Sequence, residues 1–194
     1  WQVTDANDDA AGTESSAEVF QTITITADND DPVITGLSLS TLDYIENNNG
    51  ADATVIGAGL TLTDVDDTNL AGATVTITAG EFDASAGGLG DDGDLLGFGA
   101  DAGDDSAGDD TVSWTFGDIT ATRNAAGDQL TLSGSATKDA YEAVLQDVTY
   151  ESTSHNLTDQ DTENSRTVRW QVTDANDDAA GTESSAEVFQ TITI

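Results

Sequence analysis

Residues 1–25, WQVTDANDDAAGTESSAEVFQTITI, return without a single change as residues 170–194. A lone enzyme domain has no use for such a copy, whereas self-similarity at a fixed period is the signature of a tandem array. The chain therefore reads as one period plus an overhang of a longer repetitive protein. Residues 1–26 are the terminal hairpin of the preceding repeat, 27–32 an acidic linker, and 33–194 one complete repeat. That unit is long enough to bury a core of its own. The overhang is not.

Within the unit, apolar residues alternate with polar ones. Val19, Gln21, Ile23 and Ile25 fall on one face, with Phe20, Thr22 and Thr24 opposite. The same period runs through 73–77, 111–116, 129–133 and 167–172, and segments 33–44 and 54–62 read as further strands. Period two built from Val, Ile, Thr and aromatics predicts half-buried strands. Threonine on the outer face keeps strand propensity without exposing hydrocarbon.

One short helix interrupts the pattern. Thr137 is a good N-cap, Asp139 sits in the first turn, and Tyr141, Val144 and Leu145 share a face, so the helix should close one end of the fold. Between 81 and 110 the chain is rich in Gly, Asp and Ala and reads as a long excursion between strands, which Leu95, Leu96 and Phe98 would tack to the body. Its single GGxGxD match, at 87–92, lacks the further copies that a calcium β-roll requires. Seven or more short strands with one helix predict an all-β chain, an antiparallel Greek-key β-sandwich.

Charge narrows the partners. There are 38 acidic residues against four basic ones, a formal net charge of −34. Such a chain repels nucleic acid and anionic membranes. It also repels itself unless counter-ions bind. Cysteine is absent, so disulfides are excluded while an oxidising compartment is not. No stretch approaches the roughly 20 apolar residues of a membrane span.

The acids gather where strands end: Asp28-Asn29-Asp30-Asp31-Pro32, Glu46-Asn47-Asn48, Asp64-Val65-Asp66-Asp67, Asp159 to Glu163, and Asp174-Ala175-Asn176-Asp177-Asp178 with its copy at 5–9. Each alone is explained by a solvated turn, since Asp and Asn bond locally to their own backbone. Together they suit Ca2+, which takes about six to eight hard oxygens from carboxylates, amide side chains and carbonyls. The candidate ligands are Asp28, Asp30, Asp31, Glu46, Asp64 and Asp66, with Asn29 through its carbonyl.

These motifs carry a resemblance. The linker Asp28-Asn29-Asp30-Asp31-Pro32 resembles the acidic inter-domain linker of cadherin-like repeats. Ile45-Glu46-Asn47 is similar to that family's first-strand Glu-Asn motif, without the preceding proline, and Asp64-Val65-Asp66 to its Asp-x-Asp. The segment LTLTDVDDTNLAGATVTI, the helix with Tyr141 and Leu145, and VTYESTS resemble the cadherin-like, Ig-like repeats of giant bacterial RTX-type adhesins. The resemblance spans most of 32–194. It implies calcium between consecutive sandwiches, type I secretion, and an extracellular place on a bacterial surface in adhesion or biofilm formation. The long 81–110 excursion departs from that family.

Other chemistry finds little support in the residues. His155 is the sole histidine and, with no cysteine, makes no ordinary zinc site or nucleophilic triad. No carboxylate pair stands out for glycoside hydrolysis. The chain is accordingly read as no enzyme. Trp114 and Trp170 fit strand patterns as core residues, and Tyr44, Tyr141 and Tyr150 as core or rim. A second reading stays open, in which the sandwich binds a glycan or peptide through 81–110 or an exposed tryptophan. The expected partners are neighbouring repeats of the same chain. The overhang, deprived of its own sandwich, should be disordered or should dock on a neighbouring molecule as a strand-exchanged homo-oligomer.

Overall fold

The computed structural model describes residues 1–6, 8, 10–37, 42–45, 53–80, 93–99, 111–152, 164–177 and 179–194. These form an all-β body with one helix, no element being long and apolar enough to serve as a membrane-crossing helix. Twelve strands follow in chain order among the described residues: β1 (Val33–Thr35), β2 (Leu42–Asp43), β3 (Thr54–Val55), β4 (Thr61–Thr63), β5 (Asn69–Ala79), β6 (Asp94–Phe98), β7 (Val112–Phe116), β8 (Ile119–Arg123), β9 (Gln129–Thr137), β10 (Val148–Ser152), β11 (Ser165–Asp174) and β12 (Val188–Thr193). The helix α1 (Lys138–Gln146) lies between β9 and β10.

The larger sheet runs β2-β12-β11-β5-β9-β8-β7, the smaller β3-β10-β6, and β1 pairs with β4. Alternation decides which face each strand buries. In β5 it is Leu70, Ala73, Val75 and Ile77; in β9, Leu130 and Leu132; in β11, Val168, Trp170 and Val172. The small sheet answers with Leu96, Phe98, Val148 and Tyr150. Aromatic rings cross between the layers: Phe98 of β6 meets Trp114 of β7 edge-on at 5.2 Å, with Phe116 at 4.9 Å. Both tryptophans of the body, and all three tyrosines, are core residues, as their strand and helix patterns predict.

The helix follows its sequence signals. The Thr137 hydroxyl accepts from Ala140 N, and Tyr141, Val144 and Leu145 are buried. Tyr141 donates to Gly134 O at 2.7 Å, and burial pushes its phenol up to about 12. Glu142 accepts from Leu62 N at 2.9 Å, while Gln146 donates to Leu60 O at 2.7 Å, fastening the helix across the strand ends. Gly57 is required where the helix terminates: a Cβ there would stand 1.8 Å from Leu145 O.

Four sequence expectations need correction. The 81–110 excursion contains a strand, β6, in the part that is described, because Asp94, Leu96 and Phe98 alternate inward against β10. Segments 33–44 and 54–62 do not each form one strand; they break into β1 and β2, and β3 and β4. Pairing is antiparallel except at one edge, where β2 runs parallel to β12 through Leu42 and Ile192. Residues 19–25 form no strand, although the identical residues do at β12. Their ladder partner in the second copy is 165–170 of β11, and the first copy contains only Trp1 of that segment.

A buried polar network ties the layers. Arg166 of β11 is fully enclosed and donates through Nε to Asp94 of β6, whose other oxygen accepts from the Tyr150 hydroxyl at 2.7 Å. Burial foremost, and the Asp94 charge next, push the Tyr150 phenol far up, so it stays a donor. Tyr44 stacks edge-on against Tyr150 at 4.9 Å and accepts from Ser152 N.

Candidate metal centre

Three segments meet at one pole of the body: the linker 28–31, the loop between β4 and β5, and the tip of the β11–β12 hairpin. The loop is shaped by its own acids. Asp64 Oδ1 accepts from Asp66 N at 3.2 Å and Asp67 N at 2.9 Å, a local turn that gathers successive carboxylates on one side. The side-chain oxygens of Asp64, Asp66 and Asp67 lie within 4.8 Å of one another, close enough to share one metal ion.

The loop is braced from outside. Lys138, at the start of α1, donates through Nζ to the carbonyls of Asp64, at 2.8 Å, and Asp67. Its ammonium thus takes the loop's backbone acceptors and leaves the carboxylates facing the pole. The hairpin tip closes the other side. Asp177 N donates to Asp67 Oδ1, and Asp177 Oδ2 accepts from Thr68 N at 3.0 Å and Asn69 N at 2.8 Å.

The linker joins both. Asn29 Nδ2 donates to Asp174 Oδ2 at 2.7 Å, and the next residue, Asp30, donates its backbone N–H to Asp66 Oδ2 at 3.0 Å. Glu183 N donates to Asp174 Oδ2 at 2.8 Å, and hydrogen bonding to Asp31 first, then the Asp31 charge, burial, and the charges of Asp174 and Asp28, raise the Glu183 carboxyl above its ordinary range. Like charges therefore crowd at this pole, where Lys138 is, among the described residues, the cation that holds the loop in place.

The decisive feature is four oxygens. Asn29 Oδ1, Asp64 Oδ2, Asp66 Oδ1 and Asp174 Oδ1 are buried and have no hydrogen-bond partner. Asp174 has no exposed surface at all. A buried acceptor without a donor costs about 1–3 kcal/mol, and more when charged. All four are acceptors, so no rearrangement among them satisfies any of them. A metal ion held by Asp64, Asp66 and Asp67 would satisfy the Asp64 and Asp66 oxygens, with Asn29 and Asp174 hydrogen-bonded to each other beside them, and all-oxygen donors suit a hard divalent ion rather than a thiophilic one.

Of the residues expected from sequence, Asn29, Asp30, Asp64 and Asp66 come together here, with Asp28 and Asp31 at the rim beside Glu183. Asn29 presents its side-chain amide, not only a backbone carbonyl. Glu46 lies outside the described residues, as do His155, Asp159 and Asp161. Asp67, Asp174, Asp177 and Glu183 were missed as members. The signal was present, since the 174–178 cluster lies at a strand end, but its convergence on the linker depends on the tertiary path of β11.

In comparisons with family models, with curated proteins and with solved structures, nothing matches this chain.

Proposed function

We propose that residues 33–194 are a calcium-stiffened extender repeat of a secreted bacterial adhesin, projecting a distal binding domain from the cell surface. The observation that carries this reading is the set of four unpartnered buried oxygens contributed by the linker, the β4–β5 loop and the hairpin tip together. A cation there would bind the linker to the body at two loops and replace repulsion with attraction. A linker fixed at both loops transmits direction from one unit to the next.

The chemistry of the donors favours Ca2+ over Mg2+, because Mg2+ demands near-ideal octahedral geometry and keeps its waters, whereas Ca2+ tolerates an irregular set of carboxylates. The acidity fits the same role, since a chain at −34 is soluble and self-repelling until the junctions are filled. The glycan alternative loses two of its residues, because Trp114 and Trp170 are core and cannot stack on a sugar.

The reading is tested on a chain of tandem units by small-angle scattering in calcium and in EDTA. Calcium should lengthen the maximum dimension and raise the melting temperature. By linkage, an ion at about a hundred times its Kd adds about 2.7 kcal/mol. Equal dimensions and equal melts in the two conditions would refute the stiffening role.

A further inference from the structure

The linker and the final strand leave the body at opposite poles. Val33 follows the linker and pairs with Thr63, next to the Asp64 loop, so β1 begins at the acidic pole. β12 runs away from that pole: Val188 faces Trp170 and Thr193 faces Ser165, the end of β11 far from Asp174. In the first copy of the terminal hairpin, Ile25 runs straight into the linker 26–32. In a tandem array, tension on each unit therefore enters at Pro32 and leaves at Ile194.

β2 lies between these two points. Among the described residues it is the first strand of the unit to join the larger sheet, and it does so beside β12, the last. The two run parallel, with Leu42 opposite Ile192 and Asp43 opposite Thr193, and Tyr44 N donates to Thr193 O at 2.8 Å. Parallel neighbours pulled from the start of one and the end of the other slide along their common axis. The hydrogen bonds run from strand to strand, so sliding strains them together, whereas pulling both strands at one end opens them one at a time.

Side chains reinforce the pair. Ile192 is fully enclosed, and the Gln190 amide donates to Ile56 O at 2.9 Å, across to the segment between β3 and β4. Tyr44 is buried, its hydroxyl accepting from Ser152 N at 3.1 Å and its ring edge-on to Tyr150. On its other side β12 is held by β11 from Val188 to Thr193, and the same pull loads that ladder along its axis.

We propose that β2 and β12 form a force-bearing clamp, a mechanical function that rests on the extender reading and not on the cation. β1, paired with β4, meets the tension first, and the body opens only when β2 and β12 slide apart.

Single-molecule pulling in two directions tests the clamp. The chain has no cysteine, so Ile45→Cys, at an exposed position next to Tyr44, gives a unique handle at the pole where β12 ends. Stretched between its two termini, the chain loads the pair in sliding. Stretched between the handle at 45 and the C-terminus, it peels the pair open. The first direction should need a several-fold higher unfolding force than the second, in calcium and in EDTA alike. Ile192→Ala should also lower the end-to-end force more than Leu132→Ala, a buried residue of β9 off the path of tension, per unit of stability each loses in denaturant. Equal forces in the two directions, or equal effects of the two substitutions, overturn the clamp, while the extender reading stands or falls separately on the scattering of tandem units.

Discussion

Asp174 occupies a position that ordinarily belongs to a hydrophobe. It ends β11, continues the inward alternation of Val168, Trp170 and Val172, and is fully enclosed, with one oxygen bonded to Asn29 and Glu183 N and the other to nothing. A carboxylate survives there when something compensates its desolvation. The neighbouring acids do the opposite, and Glu183 registers it. Its folded-state value lies above the ordinary 4.5, so between those two values the folded chain holds more protons than the unfolded one. Stability of the metal-free chain therefore falls as pH rises through that window. A bound divalent ion would offset the charges of Asp31, Asp174 and Asp28 but not the Asp31 hydrogen bond or the burial, and so would lessen the slope. Thermal melts from acid to neutral pH in EDTA, repeated in calcium, check both halves: a decline in EDTA that calcium lessens, equal declines in the two contradicting the account.

At the scale of elements, the two hairpins separate what a sequence dictates from what its neighbours do. The turn and its capping bonds form in both contexts, yet only the copy flanked by 165–169 becomes a strand in a ladder. Ile192→Ala should cost about 2–5 kcal/mol of folding stability, whereas Ile23→Ala, the same substitution in the same local sequence, should cost less than about 0.5 kcal/mol. Chemical denaturation of the two variants measures the difference, and equal costs would mean the first hairpin is packed.

The same comparison explains how far the sequence could be read. Alternation and capping gave β5, β9, β11 and α1, because those signals lie within the element. The division of 54–62 into β3 and β4 followed from the Gly57 contact with the helix end, a relation no local pattern contains. At the site, the Asp64 turn and the linker were legible as strand-end acids. Asp67 lies in that same turn and was within reach of the local pattern, whereas Asp174 and Glu183 were not placed at the site, because that depends on which hairpin tip the fold carries to the linker.

For the molecule as a whole, the acidic pole is where three segments distant in sequence are tied together. The unit ends in a hairpin that completes its sandwich and offers acids at its tip, while the linker entering the unit is gripped by that tip and by the β4–β5 loop. A cation at this pole would supply positive charge where Lys138 holds the loop only through its backbone carbonyls. Calorimetric titration of the full chain with calcium, beside Asp174→Asn, addresses this most directly. Saturable binding of at least one ion per chain is expected, weakened by about tenfold or more in the variant, since Ca2+ affinity follows the charge and number of its ligands. Heats that never saturate, or identical isotherms for the two proteins, would contradict a cation seated among these carboxylates.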